Sequence, residues 1–343
     1  MSLVQIETLI KALPLAALVI GGDDRVIVSN EKAINVLGDG LTGRNYITAL
    51  RQPDVLQAIE QCIKDKQTQT THFLGEGEIK FDLRCACLTD GIKGVLVTLN
   101  DITEIEKSAQ LHSNFVANVS HELRTPLTSV MGFIETLQGP AKDDRKASER
   151  FLAIMADETA RMNCLVDDLL SLSRVEAQSQ RRPSERVTLD ELLASVAHRL
   201  GRKAEETNAS INLKLKSNEI LLGDTDQLRQ VFTNLIENAL KYGGEGVAVT
   251  LASAPALYDA RLRENAVRIS VRDTGAGFNP IHIPRLTERF YRVDSHRSRE
   301  MGGVGLGLAI VKHIISRHRG RMDVKSAVGQ GAEFTVYLPS AKM

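Results

Sequence analysis

Ser120-His121-Glu122-Leu123-Arg124-Thr125-Pro126 lies inside a stretch from Glu104 to Leu137 in which Leu127, Val130, Ile134 and Leu137 recur at spacings of three, four and three. That spacing is the apolar stripe of a long amphipathic helix. Steps of 100° from Phe115 place Val119 and Leu123 at about 40° and 80°, and His121 and Thr125 at about 240° and 280°, so the last two share the outward face. A water-accessible imidazole beside a carboxylate can serve as a nucleophile, because Glu122 can take the Nδ1 proton and leave a lone pair on Nε2. Pro126 removes one backbone bond just past this pair and is expected to bend the helix. Taken alone, the same residues also describe a solvated histidine on a coiled helix.

Gly139-Pro140 ends this helix, and a second runs from about Lys146 to Ala177, with Phe151, Met155, Met162, Val166, Leu169 and Leu172 on its stripe before Arg181-Arg182-Pro183. One hairpin of two such helices leaves an apolar stripe in water. Pairing two hairpins into a four-helix bundle buries it, which predicts a homodimer.

On the N-terminal side, two short strands, Leu15 to Ile20 and Arg25 to Ser29, flank the turn Gly21-Gly22-Asp23-Asp24. Helical patterns follow at Glu31 to Leu37 and Pro53 to Ile63, then strands near Thr68 to Leu74, Glu78 to Leu88 and Lys93 to Leu99. Strands, helices and strands again make an α+β unit. On the C-terminal side, helices at Leu189 to Ala209, Thr225 to Tyr242 and Leu306 to Arg319 alternate with strands at Val247 to Ala252, Ala266 to Arg272, Arg321 to Ser326 and Ala332 to Leu338. These predict a layered α/β domain.

The 343 residues carry 43 Lys plus Arg against 43 Asp plus Glu, so nothing draws the whole chain to nucleic acid or to an anionic membrane. No helix-turn-helix signature is present, and direct nucleic-acid binding is not expected. The longest apolar run, Leu13 to Ile20, is interrupted by Pro14 and falls short of a membrane span. The N-terminus lacks the features of a secretory signal. A cytoplasmic chain is expected, compatible with the cytoplasmic part of an inner-membrane sensor whose anchor lies outside this sequence. Cys62, Cys85, Cys87 and Cys164 are too scattered for a disulfide framework. Cys85 and Cys87 share a strand face and read as core packing. His72, isolated beside Phe73, reads as structural rather than as a haem ligand.

Three further clusters carry chemistry. Asn234, Asn238 and Lys241 fall on one side of a helix at spacings of four and three, a face able to hold a hydrated magnesium ion and phosphates, with Asn238 offering an amide oxygen. Asp273-Thr274-Gly275-Ala276-Gly277-Phe278 leaves a strand directly, presenting a carboxylate that can accept from an exocyclic amine such as that of adenine. Gly302-Gly303-Val304-Gly305-Leu306-Gly307-Leu308 opens a helix whose first NH groups suit phosphate. No strand precedes it, which excludes a dinucleotide fingerprint. The charged Glu288 to Glu300 stretch ahead of it reads as a lid over a triphosphate.

In this order, the His121 block, the Asn234 block, the Asp273 block, Glu288-Arg289-Phe290-Tyr291-Arg292 and Gly303 to Leu308 resemble the H, N, G1, F and G2 boxes of bacterial two-component sensor histidine kinases. Within that family Phe115 to His121 and Gly302-Gly303 to Lys312-His313 look most like the phosphate-regulon sensor kinases. The strand and helix order before Asn100-Asp101-Ile102-Thr103 resembles a PAS sensory domain. The resemblance implies a multidomain α+β chain: a PAS-like domain over 1–103, a dimerisation and phosphotransfer hairpin over 104–180, and a gyrase- and Hsp90-like α/β sandwich over 187–340 that binds ATP and Mg2+. It further implies that His121 is the phosphoacceptor, Glu122 its base, Asn238 the magnesium ligand and Asp273 the adenine contact. Thr125, by the pattern His-Glu-x-x-Thr, would support dephosphorylation of the partner. Asn234, Lys241, Tyr242, Gly275, Gly277, Phe290, Arg292, Gly303, Gly305, Leu306 and Gly307 would complete the nucleotide site. The implied partner is the receiver domain of a response regulator. Val304 stands where the family usually has Thr, and Ala332 where it often has Ser or Thr. The rival reading is a catalytically degenerate scaffold that binds nucleotide or a partner.

Overall fold

The computed structural model describes residues 3–88, 93–177, 182–293 and 304–341. The chain forms two compact units, Met1–Val116 and Ala117–Met343. In the first, α1 (Leu3–Ala12) precedes β1 (Ala16–Gly21) and β2 (Val26–Ser29). Three helices, α2 (Glu31–Leu37), α3 (Tyr46–Ala49) and α4 (Pro53–Asp65), lead to β3 (Gln69–Leu74), β4 (Lys80–Leu88) and β5 (Gly94–Asp101). The sheet is antiparallel in the order β2-β1-β5-β4-β3.

All six residues of β1 are buried because both its faces are covered. Leu18 and Ile20 meet Val55 and Ile59 of α4 on one face, while Ala17 and Val19 meet Ile6 and Ile10 of α1 on the other. Asn30 joins these layers. It is buried, its Oδ1 accepts from Ala17 N and Ala33 N at 3.0 and 2.9 Å, and its Nδ2 donates to Leu15 O and Ile10 O at 2.8 and 3.2 Å. Asp101 Oδ1 accepts from Thr103 N at 2.9 Å, and Thr103, first through its hydroxyl and then through this NH, holds the Asp101 carboxyl below its usual range, so the Asp101-Ile102-Thr103 tripeptide acts as a helix start.

The second unit contains most of α5 (Thr103–Gln138), then α6 (Arg145–Ala177), β6 (Glu185–Thr188), α7 (Leu189–Glu206), β7 (Ser210–Lys214), β8 (Ile220–Gly223), α8 (Thr225–Gly243), β9 (Ala248–Asp259), β10 (Glu264–Asp273), α9 (Gly307–Arg317), β11 (Arg321–Ser326) and β12 (Ala332–Pro339). One sheet runs β11-β12-β10-β9-β7 with only the β7–β9 pair parallel, and β6 pairs with β8 beside it. The core lies between the sheet residues Val249, Leu251, Val267, Ile269 and Val336 and the helix residues Leu193, Phe232, Leu235, Ile236, Ile310 and Ile314, all 0% exposed. Strand β9 continues past the expected end at Ala252 because the register shift opposite Ala266 to Arg268 absorbs Pro255, which has no NH for the ladder. Helix α5 runs unbroken through Pro126. Among the described residues no helix is long and apolar enough to cross a membrane.

His318 ties the end of α9 to the start of α8. It is 2% exposed, its Nδ1 lies 2.8 Å from Ile314 O, and its Nε2 accepts from Asp224 N at 3.0 Å, an arrangement that requires the neutral ring with its proton on Nδ1. Burial, with Arg317 adding to it, holds this imidazole below its usual range. The unfolded chain therefore binds the extra proton first. His318 contributes its full stabilisation above the unfolded pKa of about 6.5 and loses it as pH falls from there toward the lower folded value. Thermal unfolding at a series of pH values should show this loss. His318→Gln, which keeps one donor and one acceptor but does not titrate, should cost about 1–2 kcal/mol near neutrality and flatten the acid slope.

Candidate functional site

Helix α8 buries Leu228, Val231, Phe232, Leu235, Ile236 and Ala239. That rotation leaves Asn234, Asn238 and Lys241 half-buried together on the other side, as their spacing predicts. The two asparagines divide the work. Asn234 Nδ2 donates to Gly307 O at 3.2 Å and so fastens the first turn of α9. Among the described residues the Asn238 amide has no hydrogen-bond partner and is the group left for a ligand. Lys241 is pushed down to about 8, first by burial and then by the neighbouring cations Arg292 and Lys203, against the pull of Glu237. Cations brought close enough to repel one another are what a polyanion would relieve. Tyr242, at the helix end, is 40% exposed.

Asp273 closes β10 and is 7% exposed. Its Oδ1 accepts from Gly275 N at 2.9 Å and Ala332 N at 3.2 Å, which leaves Oδ2 without a donor among the described residues and able to accept from a ligand amine. Ala332 thus serves the site through its backbone. A Cβ on Gly275 would lie 2.4 Å from Gly243 Cα, and one on Gly277, at φ +59°, would lie 2.1 Å from Ala327 O, so both glycines are imposed by close backbone approach.

The segments on either side of the undescribed residues 294–303 are tied together. Phe290 N donates to Gly305 O at 2.9 Å, and Phe290 itself holds a left-handed φ of 63°. A Cβ on Gly305 would sit 2.8 Å from the Phe290 carbonyl carbon. Tyr291 is held by His282, with its OH 2.7 Å from Nδ1, and by the Arg285 guanidinium 4.3 Å from its ring centre. Gly307 meets Asn234, as above. Leu306 is 0% exposed, so its side chain belongs to the core and only its backbone is available to a ligand. Gly303 lies outside the described residues.

On the hairpin, His121 and Thr125 are exposed, as the 100° projection predicts. The Thr125 hydroxyl donates to His121 O at 3.2 Å, one turn back. The Glu122 carboxylate lies 3.9 Å from Arg161 of α6, which sets its direction across the hairpin. Residues that the sequence did not flag dock α6 on the α/β body. Glu176 pairs with Arg289 and lies 3.4 Å from His313 Nε2, and Ser171 Oγ donates to Gln230 Oε1 at 2.9 Å. This docking leaves a cleft of about 300 Å³ lined by Asn118, His121 and Glu122 of α5 and by Arg285, Glu288, Arg289, Phe290 and Tyr291. His121 and the 285–291 segment therefore face one another within one chain.

Among the described residues no three His, Cys, Asp or Glu side chains cluster as a metal site. One amide oxygen at Asn238 beside Lys241 and Arg292 suits a hydrated magnesium ion held mostly by ligand phosphates.

Residues 223–342 match the family of histidine kinase-, DNA gyrase B- and HSP90-like ATPases, and residues 111–178 match the His Kinase A phospho-acceptor domain. The chain is 40% identical over 252 residues to the phosphate regulon sensor protein PhoR of Pseudomonas aeruginosa, covering 72% of this chain and 54% of that protein. It is 32% identical over 340 residues to the sensor protein SrrB of Staphylococcus aureus, covering 97% of this chain and 55% of that one. The chain thus spans about half the length of these relatives. The histidine kinase ThkA, solved in complex with the response regulator protein TrrA, shares the fold at a TM-score of 0.55 and 22% identity, covering 98% of both chains.

Lys241 gives the site a measurable pH dependence. With its folded pKa near 8 it loses its charge above that value in the free protein, whereas bound phosphates would hold the proton on. The affinity for Mg-ATP, measured by calorimetry, should fall above pH 8 by up to about tenfold per pH unit. Lys241→Arg, charged throughout, should remove that dependence, and an unchanged slope in the variant would exclude Lys241 as its source.

Proposed function

The chain belongs to the sensor histidine kinases of two-component systems, and from that premise we propose that it transfers the γ-phosphoryl group of ATP to its own His121 and then to an aspartate of a response regulator receiver domain. The observation that carries this reading is the cleft in which His121 and Glu122 meet the Glu288 to Tyr291 block. In the transfer, Nε2 of His121 bonds to phosphorus as the bond to the ADP oxygen breaks, with Glu122 taking the Nδ1 proton. Lys241 and Arg292 would meet phosphate charge, Asn238 would hold a magnesium ion, which when bound would supply charge neutralisation, and Asp273 would accept from the adenine amine. The exposed apolar side chains of the hairpin, Leu127, Met131, Ile134, Leu152, Val166 and Leu170, are the surface of a homodimeric four-helix bundle.

Residues 1–103 read as a PAS-like sensory domain, supported by the sheet order β2-β1-β5-β4-β3 with its helices between β2 and β3. The hairpin occupies 104–180 and the ATP-binding sandwich 187–340. The 40% identity to the PhoR protein supports a role in phosphate sensing.

Incubation with labelled Mg-ATP should place an acid-labile, base-stable phosphoryl group on His121. His121→Gln should abolish it, and labelling that persists would remove the assignment. No labelling of a wild-type chain that still binds ATP would favour the degenerate scaffold instead. Because the cleft joins His121 to the 285–291 segment of its own chain, the reaction should run within a protomer. A mixed dimer of His121→Gln with Asn238→Asp should therefore stay unlabelled, and labelling of its intact His121 would show transfer between protomers.

Thr125 is proposed to position the water that removes phosphate from the partner aspartate, since it lies one turn from His121 on the same exposed face. Its bond to His121 O supplies the competing role of shaping the helix next to Pro126. Thr125→Ala should lose regulator dephosphorylation while largely keeping His121 labelling. Equal loss of both rates would assign Thr125 to helix geometry.

A further inference from the structure

Cys62 near the end of α4 and Cys87 on β4 come together with their sulfur atoms 3.5 Å apart, and the Cys87 thiol lies 2.9 Å from Cys62 O. We propose that these two thiols form a modification site in the N-terminal unit, at which hydrogen peroxide converts them to a disulfide. The sulfurs are already in van der Waals contact, so reaching the bonded distance of about 2.05 Å requires a closure of roughly 1.5 Å. The hydrogen bond to the Cys62 carbonyl keeps the Cys87 side chain pointing at its partner.

Access sets the order of events. Cys87 is half-buried, whereas Cys62 and Cys85 are both 0% exposed. Burial, and then Cys87 itself, pushes the Cys62 thiol up to about 11, and burial pushes Cys85 up to about 12, so both stay protonated and neither starts the reaction. The Cys87 sulfur attacks one peroxide oxygen, the O–O bond breaks, and water leaves once the displaced oxygen takes a proton, giving a sulfenic acid. The Cys62 sulfur then attacks that sulfur, the S–O bond breaks, and the hydroxyl group departs as water with the Cys62 proton. Two thiols lose two electrons in all, and the peroxide is reduced to two waters. Contact with Cys62 supplies the proximity that offsets its poor ionisation. The bridge would join α4 to β4, which pairs with β5, the strand that runs through Asp101 into α5.

The test uses the full chain carrying Cys164→Ser, which removes the exposed thiol on α6 that would couple between molecules. The reduced, folded protein is treated with a modest excess of hydrogen peroxide, its remaining thiols are titrated, and non-reducing peptide maps are read by mass spectrometry. The expected result is the loss of two of three thiols and a Cys62–Cys87 peptide pair lighter by two hydrogen atoms, with dithiothreitol restoring both thiols. Cys85→Ala should still form the bridge, and Cys87→Ser should form none. Accumulation of Cys87 sulfinic acid beside a free Cys62, a bridge from Cys85, or retention of all three thiols would each overturn the proposal.

Discussion

The burial of one side of α8 is the constraint on which the site depends. Phe232, Leu235 and Ile236 are wholly removed from water against the sheet, and turning the helix by even one residue would expose them at a cost of several kcal/mol. The core thereby fixes the direction of the polar residues between them. Asn234, Asn238 and Lys241 have no freedom to face elsewhere, and Asn234 extends the constraint to α9 through Gly307 O. Gly305 and Phe290, joined by one backbone bond and one close approach that only glycine permits, tie the start of α9 to the 285–291 segment. Core packing thus positions the groups proposed to meet a ligand, and few of them are held by hydrogen bonds of their own.

What the sequence made legible follows from this dependence. Period-3.6 patterns located α2, α4 to α9 and both helices of the hairpin, and the outward placement of His121 and Thr125 came from the same periodicity. The strands that escaped it have no strong period. Strands β6 and β8 are four residues each and β7 has only Ile211 and Leu213 to mark it, whereas α1 carries the helical spacing at Leu3, Ile6 and Ile10 but is only ten residues long. Strand β9 was read short because Pro255 looks like a terminus until the bulge that accommodates it is seen.

Long-range pairs were illegible for a different reason. Glu176 meets Arg289 across 113 residues and Cys62 meets Cys87 across 25, and nothing local to either partner announces the other. Spacing reports which side of a helix Asn234 occupies, without reporting that Gly307 O lies opposite it. The same limit applies to Leu306, whose place in a glycine-rich block suggested ligand contact although its side chain completes the core.

The hairpin also changes the electrostatics of the pocket it approaches. Asp168 of α6 is pushed up to about 6 by burial and by Glu237 and Asp167, with Lys241 opposing the shift. Lys241, pushed down by burial, gains little from a carboxylate that is itself driven toward its neutral form. Each group has lost hydration on burial, and among the described residues the two form no salt bridge that would restore it, so their charges contribute little to holding α6 in place. The docking rests instead on Leu165, Leu172 and Val175, nearly fully buried on α6, and on the Glu176 and Ser171 contacts at its end. A bound triphosphate would stabilise the Lys241 cation and disfavour the Asp168 anion at once. Nucleotide charge and the charge on α6 would therefore be coupled through this pocket.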